Sequence, residues 1–325
     1  MAMKCVPCPL VLVLSSGLLA QTPPATPKRP VTEVIQGVQV TDDYRWLERT
    51  EDPEVKAWIA AQNLATRKAL DARPERAAMR KELKVILEDT SVSRYSFRYV
   101  GGKLFAIKNQ PPKNQPMLVS LRDPRDLTTE RVVLDPNVLD PSGKTTIDWY
   151  VPSPDGKLVA VSLSKNGSED GTLYVYETAT GKALPDILPR VQFATGGGSA
   201  AWDADGKGFL YTRYPMGQER PKEDANFYMQ VHHHRLGTPV AQDQHVLGKD
   251  FPRIAEVTLR RSQNGKYHLA DVANGDGGEH AFYLRGPKGT WSRIATFEDR
   301  ITSAVFGPDQ KLYALSLKDS PRGKI

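Results

Sequence analysis

The sequence predicts a mainly β fold that is built from a repeated unit and preceded by two helices. Each of the five copies of the unit has a tight turn, a lysine and then an apolar strand, as in SPDGKLVAVSL from Ser153 to Leu163. The lysines that align the copies recur at intervals of 54, 50, 59 and 45 residues: Lys103, Lys157, Lys207, Lys266 and Lys311. Several strands in a unit of this length match the four-stranded blade of a β-propeller. A β-sandwich with similar turns is the alternative, although sandwiches lack this regular spacing.

The turns and strands of the copies agree with stacked sheets. Most copies carry Asp-Gly, Asn-Gly or Gly-Gly, which reach the positive φ values that tight hairpins need. The runs KLVAVSL and KLYALSL are more continuously apolar than alternating, which is typical of sheets covered on both faces. Five repeats fit into residues 91–325, and the last is barely begun. The sequence therefore predicts a truncated β-propeller of about four to five blades over this range.

Residues 31–90 predict a short β-like segment followed by two amphipathic helices. Asp52 is a suitable N-cap with Pro53 at the first helical position, and Pro74 opens the second helix. Apolar residues recur at helical spacing: Val55, Trp58, Ile59, Ala65, Ala69 and Leu70 in the first helix, and Met79, Leu83, Ile86 and Leu87 in the second. Each helix therefore needs a surface on which its apolar face can pack.

The N-terminus predicts an export signal and a linker. Residues 1–20 contain Lys4 and the apolar run Leu10–Ala20, which is too short to span a bilayer. We expect the protein to be periplasmic or secreted; a misassigned start codon or a buried strand is the alternative. Residues 21–30, QTPPATPKRP, predict a stiff proline-rich linker. Both cysteines, Cys5 and Cys8, precede the expected cleavage, so cysteine content does not indicate the compartment.

The charge pattern argues against several classes of partner. The formal net charge is +6, but lysine and arginine are scattered among the acidic residues. Nucleic-acid-binding proteins usually concentrate basic residues on one stripe or helix. We therefore expect no nucleic-acid partner. We also expect no membrane partner once the signal is removed, and the sequence identifies no specific protein partner.

A resemblance to a known family rests on several sequence blocks. The segment GVQVTDDYRWLERTEDPEVKAWIAAQN, Gly37 to Asn63, resembles the N-terminal signature of the prolyl oligopeptidase family of serine peptidases. Asp43 stands where the family has proline, and Arg49 stands where an acidic residue is common. Further blocks resemble the family's in the same order: VVLDPNVL, SPDGKLVAVSLSKNGSE, LPRVQF, AWDADGKGFLYTRYP and HRLGT.

The resemblance implies a fold and an activity. Family members have a seven-bladed propeller that caps an α/β-hydrolase domain, and the N-terminal helices belong to the hydrolase domain. They cleave short peptides, commonly after proline, with a Ser, Asp and His from the C-terminal portion, and the propeller acts as a size filter. We therefore expect this chain to be the N-terminal part of such a peptidase. A stand-alone, non-catalytic propeller that binds partners, or a relative with trypsin-like preference for basic residues, are the alternatives.

The sequence predicts no catalytic residue, metal ligand or cofactor site within the chain. It contains no G-x-S-x-G nucleophile turn, and Ser199 in GGGSAAW is followed by a predicted strand rather than a helix. The three consecutive histidines of the HHH run would point alternately to opposite faces of a strand, which argues against a shared zinc ion. By resemblance, Phe193 in LPRVQF is the one candidate substrate-binding residue, with an ordinary blade-core role as the alternative. We expect the chain alone to lack peptidase activity.

Overall fold

The structure is a computed structural model, which describes residues 23–88, 90–192 and 198–325. The chain divides into two compact units at Asp89 and Thr90. The expected signal segment, residues 1–20, lies outside the described residues. Among the described helices, none combines the length and apolar character needed to cross a bilayer.

The first unit contains a β-hairpin and the two helices that the sequence predicts. Strands β1 (Val31–Ile35) and β2 (Val38–Asp42) pair in antiparallel fashion. A short 3-10 turn at Arg45–Glu48 then leads to α1 (Pro53–Asp71) and α2 (Glu75–Leu87). The side chain of Asp52 accepts a hydrogen bond from the N–H of Glu54, as expected of an N-cap.

Trp46 is the buried centre of this first unit. Its ring packs edge-on against that of Trp58, with 6.4 Å between the ring centroids, and the guanidinium of Arg29 lies 4.5 Å from its centroid. The Trp46 Nε1–H donates to the backbone oxygen of Pro27 at 3.0 Å. Pro27 belongs to residues 21–30, which the sequence predicts to be a proline-rich linker, and this hydrogen bond connects it to the first unit. An extended proline-rich backbone leaves its carbonyl groups free to accept hydrogen bonds.

The second unit consists of consecutive antiparallel sheets whose strands pair in chain order. The first sheet is β3 (Ser93–Val100), β4 (Lys103–Asn109), β5 (Met117–Leu121) and β6 (Glu130–Leu134). The second is β7 (Thr145–Pro152), β8 (Leu158–Lys165), β9 (Thr172–Glu177) and β10 (Ala183–Pro189). The third is β11 (Ala200–Trp202), β12 (Gly208–Arg213), β13 (Gln230–Arg235) and β14 (Gln244–Leu247). The fourth is β15 (Ala255–Arg261), β16 (His268–Asn274), β17 (His280–Arg285) and β18 (Trp291–Ala295).

A fifth sheet has two described strands, β19 (Ile301–Phe306) and β20 (Leu312–Ser316). A short helix, α3 (Pro136–Leu139), connects the first and second sheets. Within the described ranges, the five sheets of the second unit are hydrogen-bonded only internally and are not closed. The prediction of a mainly β, propeller-type fold preceded by helices is confirmed.

The repeated turn joins the first and second strands of each sheet. In the last four copies, the side chain two positions before the shared lysine accepts a hydrogen bond from the lysine N–H: Asp155 and Asn264 each do so at 3.0 Å. Asp205 and Asp309 make the same bond. Gly156 has φ +64, and a Cβ there would lie 2.9 Å from the Val100 oxygen, so this position requires glycine. The repeat seen in the sequence is thus a local turn, which is stabilised by its own side chain in the last four copies.

Successive sheets pack face to face through apolar side chains. Val161 of the second sheet belongs to the cluster shared with the first sheet, whereas the adjacent Ala160 belongs to the cluster shared with the third. Further clusters join the third sheet to the fourth and the fourth to the fifth. The second, third and fourth sheets are therefore covered on both faces, which explains why their strands are continuously apolar.

We predict that the second unit depends on the cluster between the second and third sheets. Phe209 is fully buried there, with its ring centroid 5.0 Å from that of Trp202. Phe209→Ala should lower the free energy of unfolding by about 3–5 kcal/mol because it leaves a cavity. Val132→Ala, at a position 49% exposed, should change it by no more than about 0.5 kcal/mol. Urea denaturation followed by circular dichroism measures both, and equal losses would contradict this packing.

Candidate functional site

The first strands of the sheets surround a cavity of about 480 Å³. Its walls come from β3, β7, β11, β15 and β19, so each of the five described sheets of the second unit contributes its first strand. The lining includes the apolar and aromatic residues Trp149, Tyr150, Trp202 and Phe306. A cavity of this size can hold much of a small ligand.

The charged residues in the described lining of this cavity are Arg98, Arg260 and Arg261, and that lining includes no aspartate or glutamate. Arg98 and Arg260 are exposed. Two N–H groups of the lining, Nε1 of Trp149 and Nε of Arg261, are buried without a hydrogen-bond partner in the described part of the chain. Burial lowers the pKa of Arg261, while the nearby Asp203 opposes that shift. The described walls therefore offer hydrogen-bond donors and positive charge.

Ser199, the residue nearest to a nucleophile motif, is a structural bridge. Its hydroxyl is buried, donates to the Val257 oxygen at 3.1 Å and accepts from the Leu259 N–H at 3.0 Å. These bonds join the end of the third sheet's first strand to the fourth sheet. Because both partners are backbone groups of a neighbouring sheet, the hydroxyl is committed to holding the two sheets together.

His234 lies in a buried ionic network between the second and third sheets. Its ring nitrogens lie 2.9 Å from Asp186 and 2.7 Å from Asp243. Burial alone would lower the pKa of His234, but the two carboxylates raise it above its usual value. The Tyr211 hydroxyl donates to Asp243 at 2.7 Å, so the network is part of the interface between sheets.

The other histidines also have structural surroundings. The rings of His233 and His280 each lie 2.7 Å from a carboxylate, those of Asp203 and Asp271. His268 lies 3.2 Å from the backbone oxygen of Trp202. The ring of His232 packs against that of His245, with centroids 5.4 Å apart. Across the described residues, no group of three or more histidine, cysteine or acidic side chains could hold a metal ion.

Phe193, the substrate-binding residue predicted from the sequence, lies outside the described residues, so its contact with substrate stays a prediction. Arg98, Arg260 and Arg261 were not predicted from the sequence to be site residues. Their position in the sequence could have indicated them, because they lie in the strands just before the repeated turns at Gly101 and Asn264. Which strand of each sheet faces the cavity is visible only in three dimensions.

These features define a β-propeller domain with a helical unit before it, and comparison with known proteins assigns the family. The model of the prolyl oligopeptidase N-terminal β-propeller domain matches residues 23–325. Prolyl endopeptidase from Elizabethkingia meningoseptica is 28% identical over 311 residues, which are 93% of this chain and 42% of that protein. Prolyl oligopeptidase A from Galerina marginata is 26% identical over 288 residues, or 79% of this chain and 38% of that protein. The chain belongs to the prolyl oligopeptidase family.

Solved structures agree with this assignment. One from a structural and mechanistic study of two prolyl endopeptidases has a TM-score of 0.80 at 26% identity, covering 93% of this chain and 44% of that one. Prolyl oligopeptidase B from Galerina marginata, solved with a 35mer hydrolysis and macrocyclization substrate, has a TM-score of 0.77 at 21% identity. The latter covers 93% of this chain and 45% of its own, and shows the fold alone. The chain thus spans less than half the length of these relatives.

We predict that His232 makes the second unit sensitive to acid. Burial, with Arg213 adding to it, lowers the pKa of His232 from 6.5 to about 4. Between these values the unfolded chain binds a proton that the folded chain excludes, so stability falls as pH drops from about 6.5 to about 4. The loss is up to about 3 kcal/mol.

The test compares the chain with its His232→Phe variant at pH 7 and pH 4.5 by urea denaturation. Neither ring nitrogen of His232 has a partner in the described structure, so phenylalanine removes no hydrogen bond. The variant should lose less stability on acidification than the unmodified chain, since all other titrating groups are shared. Identical losses in the two proteins would contradict the assignment.

Proposed function

We propose that this chain is the N-terminal helical segment and propeller of a prolyl-oligopeptidase-type serine peptidase. The full-length protein would cleave short peptides, commonly on the carboxyl side of proline, with the catalytic serine, aspartate and histidine in another portion of the protein. The match of the family model to residues 23–325 is the observation that carries this proposal. The export signal expected over residues 1–20 would direct the protein to the periplasm or out of the cell.

In this proposal the propeller admits peptides according to size. The cavity of about 480 Å³ is bounded by strands that are hydrogen-bonded within packed sheets. Such walls can accommodate a short extended peptide and would exclude a folded domain. The size filter is a family-level inference, and the cavity within the described sheets supports it.

The helical unit supports docking on a hydrolase domain over a stand-alone propeller. Helix α2 has no buried residue within its own unit, and Leu83, Ile86 and Leu87 are 52%, 69% and 78% exposed. Leu83 and Leu87 line a groove of about 990 Å³ together with Leu70, Met79 and six charged side chains. Contiguous exposed apolar surface of this kind usually marks an interaction site. A stand-alone propeller has no need of it.

We predict that peptidase activity belongs to the product of the complete reading frame. That protein should release 4-nitroaniline from a chromogenic peptide with proline before the scissile bond, and a serine-directed organophosphate should abolish the release. A matched peptide with alanine at that position should be a poorer substrate. The 325-residue chain alone should release nothing above buffer. Turnover by the chain alone, or no proline-dependent turnover by the complete product, would overturn the proposal.

We also predict that Ile86→Glu acts only in the complete protein. In the 325-residue chain this exposed position should tolerate glutamate with a change in unfolding free energy of no more than about 0.5 kcal/mol. In the complete product, a charge buried under the hydrolase domain should cost about 1–3 kcal/mol or more. Differential scanning calorimetry of both proteins measures this, with Val138→Glu, an exposed substitution in the second unit, as control. Equal effects in the two proteins would contradict docking.

A further inference from the structure

We propose that the cavity lined by the first strands selects peptides by charge and binds acidic peptides in preference to neutral or basic ones. This inference deepens the proposed function and rests on it for the view that peptides are the ligands. It concerns the chain's own residues, whatever portion of the protein performs the chemistry.

The described walls of the cavity carry charge of one sign. Among the described lining residues, the charged ones are Arg98, Arg260 and Arg261, and none carries a carboxylate. Within the described ranges, none of the three guanidinium groups forms an ion pair. Cavities lined by one sign of charge, with low-dielectric walls, concentrate ligands of the opposite sign. The aromatic rings of Trp149 and Trp202 supply such walls.

The described lining also contains hydrogen-bond donors that lack acceptors. The Nε1–H of Trp149 and the Nε–H of Arg261 are buried and lack acceptors in the described structure. Buried polar groups are nearly always hydrogen-bonded, so each of these calls for an acceptor. A carboxylate carries only acceptors and matches the planar fork of arginine. An ammonium group has only donors and could satisfy neither N–H.

Two acidic side chains close to the arginines are hydrogen-bonded to other residues. Asp148, which borders a smaller adjoining cavity together with Arg98, accepts hydrogen bonds from the hydroxyls of Ser162 at 2.9 Å and Ser164 at 2.6 Å. Asp203, whose charge reaches Arg261, pairs with His233 at 2.7 Å. Both carboxylates are therefore occupied by residues outside the cavity lining.

The test is calorimetric titration of the 325-residue chain with three acetylated, amidated pentapeptides. All three peptides have proline in the third position. The other four positions hold glycine together with glutamate in the first peptide, with glutamine in the second and with lysine in the third. We expect the glutamate peptide to bind at least tenfold more tightly than the glutamine peptide, and the lysine peptide not to bind detectably. Equal affinity for the glutamate and glutamine peptides would overturn the proposal.

Variants locate the binding in the cavity. The double substitution Arg98→Ser with Arg260→Ser should weaken binding of the glutamate peptide at least fivefold. The matched control, Arg131→Ser with Arg235→Ser, removes the same charge from exposed arginines on the fourth and third strands of their sheets and should keep the affinity. An equal loss in the control would show attraction by net charge alone and overturn the site.

A second variant keeps the proposal testable if the double variant fails to fold. Thr258→Glu adds a carboxylate to the cavity wall and should abolish the preference for the acidic peptide; an unchanged preference would contradict the site. Because the titration uses no catalysis, its outcome is independent of the peptidase assay. Failure to bind would overturn the charge selectivity alone, whereas an inactive complete protein that still binds acidic peptides would overturn only the peptidase assignment.

Discussion

The packing of successive sheets against one another is the constraint on which the rest of the second unit depends. Adjacent residues of one strand, such as Val161 and Ala160, serve the clusters on its two sides. Polar bridges reinforce the same interfaces, with Ser199 between the third and fourth sheets and His234 between the second and third. Because the faces of the sheets are buried by packing, the surface that faces the cavity belongs to the first strands. The candidate site is there for this reason.

The sequence predicted what is local. The turns before the shared lysines could be recognised because they are local: in four of the five copies the stabilising hydrogen bond, for example from Lys157 N–H to Asp155, spans two residues. The helices could be recognised from an N-capping residue and from the helical spacing of their apolar residues. The burial of Trp46 could not, since it depends on a hydrogen bond to Pro27 and on a ring 12 positions away. The arginines that line the cavity could not be predicted either, because whether a side chain faces the cavity depends on how the five sheets are arranged.

The residue types that usually suggest catalysis have structural roles in the described part of this chain. The Ser199 hydroxyl is satisfied by backbone groups, and His233, His234 and His280 are held by carboxylates. What remains available is an apolar helix face in one unit and a cationic cavity in the other. These two surfaces suit docking and peptide selection, which is the division of labour expected if the bond-breaking groups reside elsewhere in the protein.

The most direct test of this account is to determine the coding sequence in frame beyond the codon for Ile325. The account predicts a G-x-S-x-G segment between a strand and a helix, followed by an aspartate and then a histidine, as in α/β-hydrolases. A stop codon directly after Ile325, with no hydrolase sequence in the same gene, would contradict it. The chain would then be a propeller without a catalytic partner, and the exposed face of α2 would need another explanation.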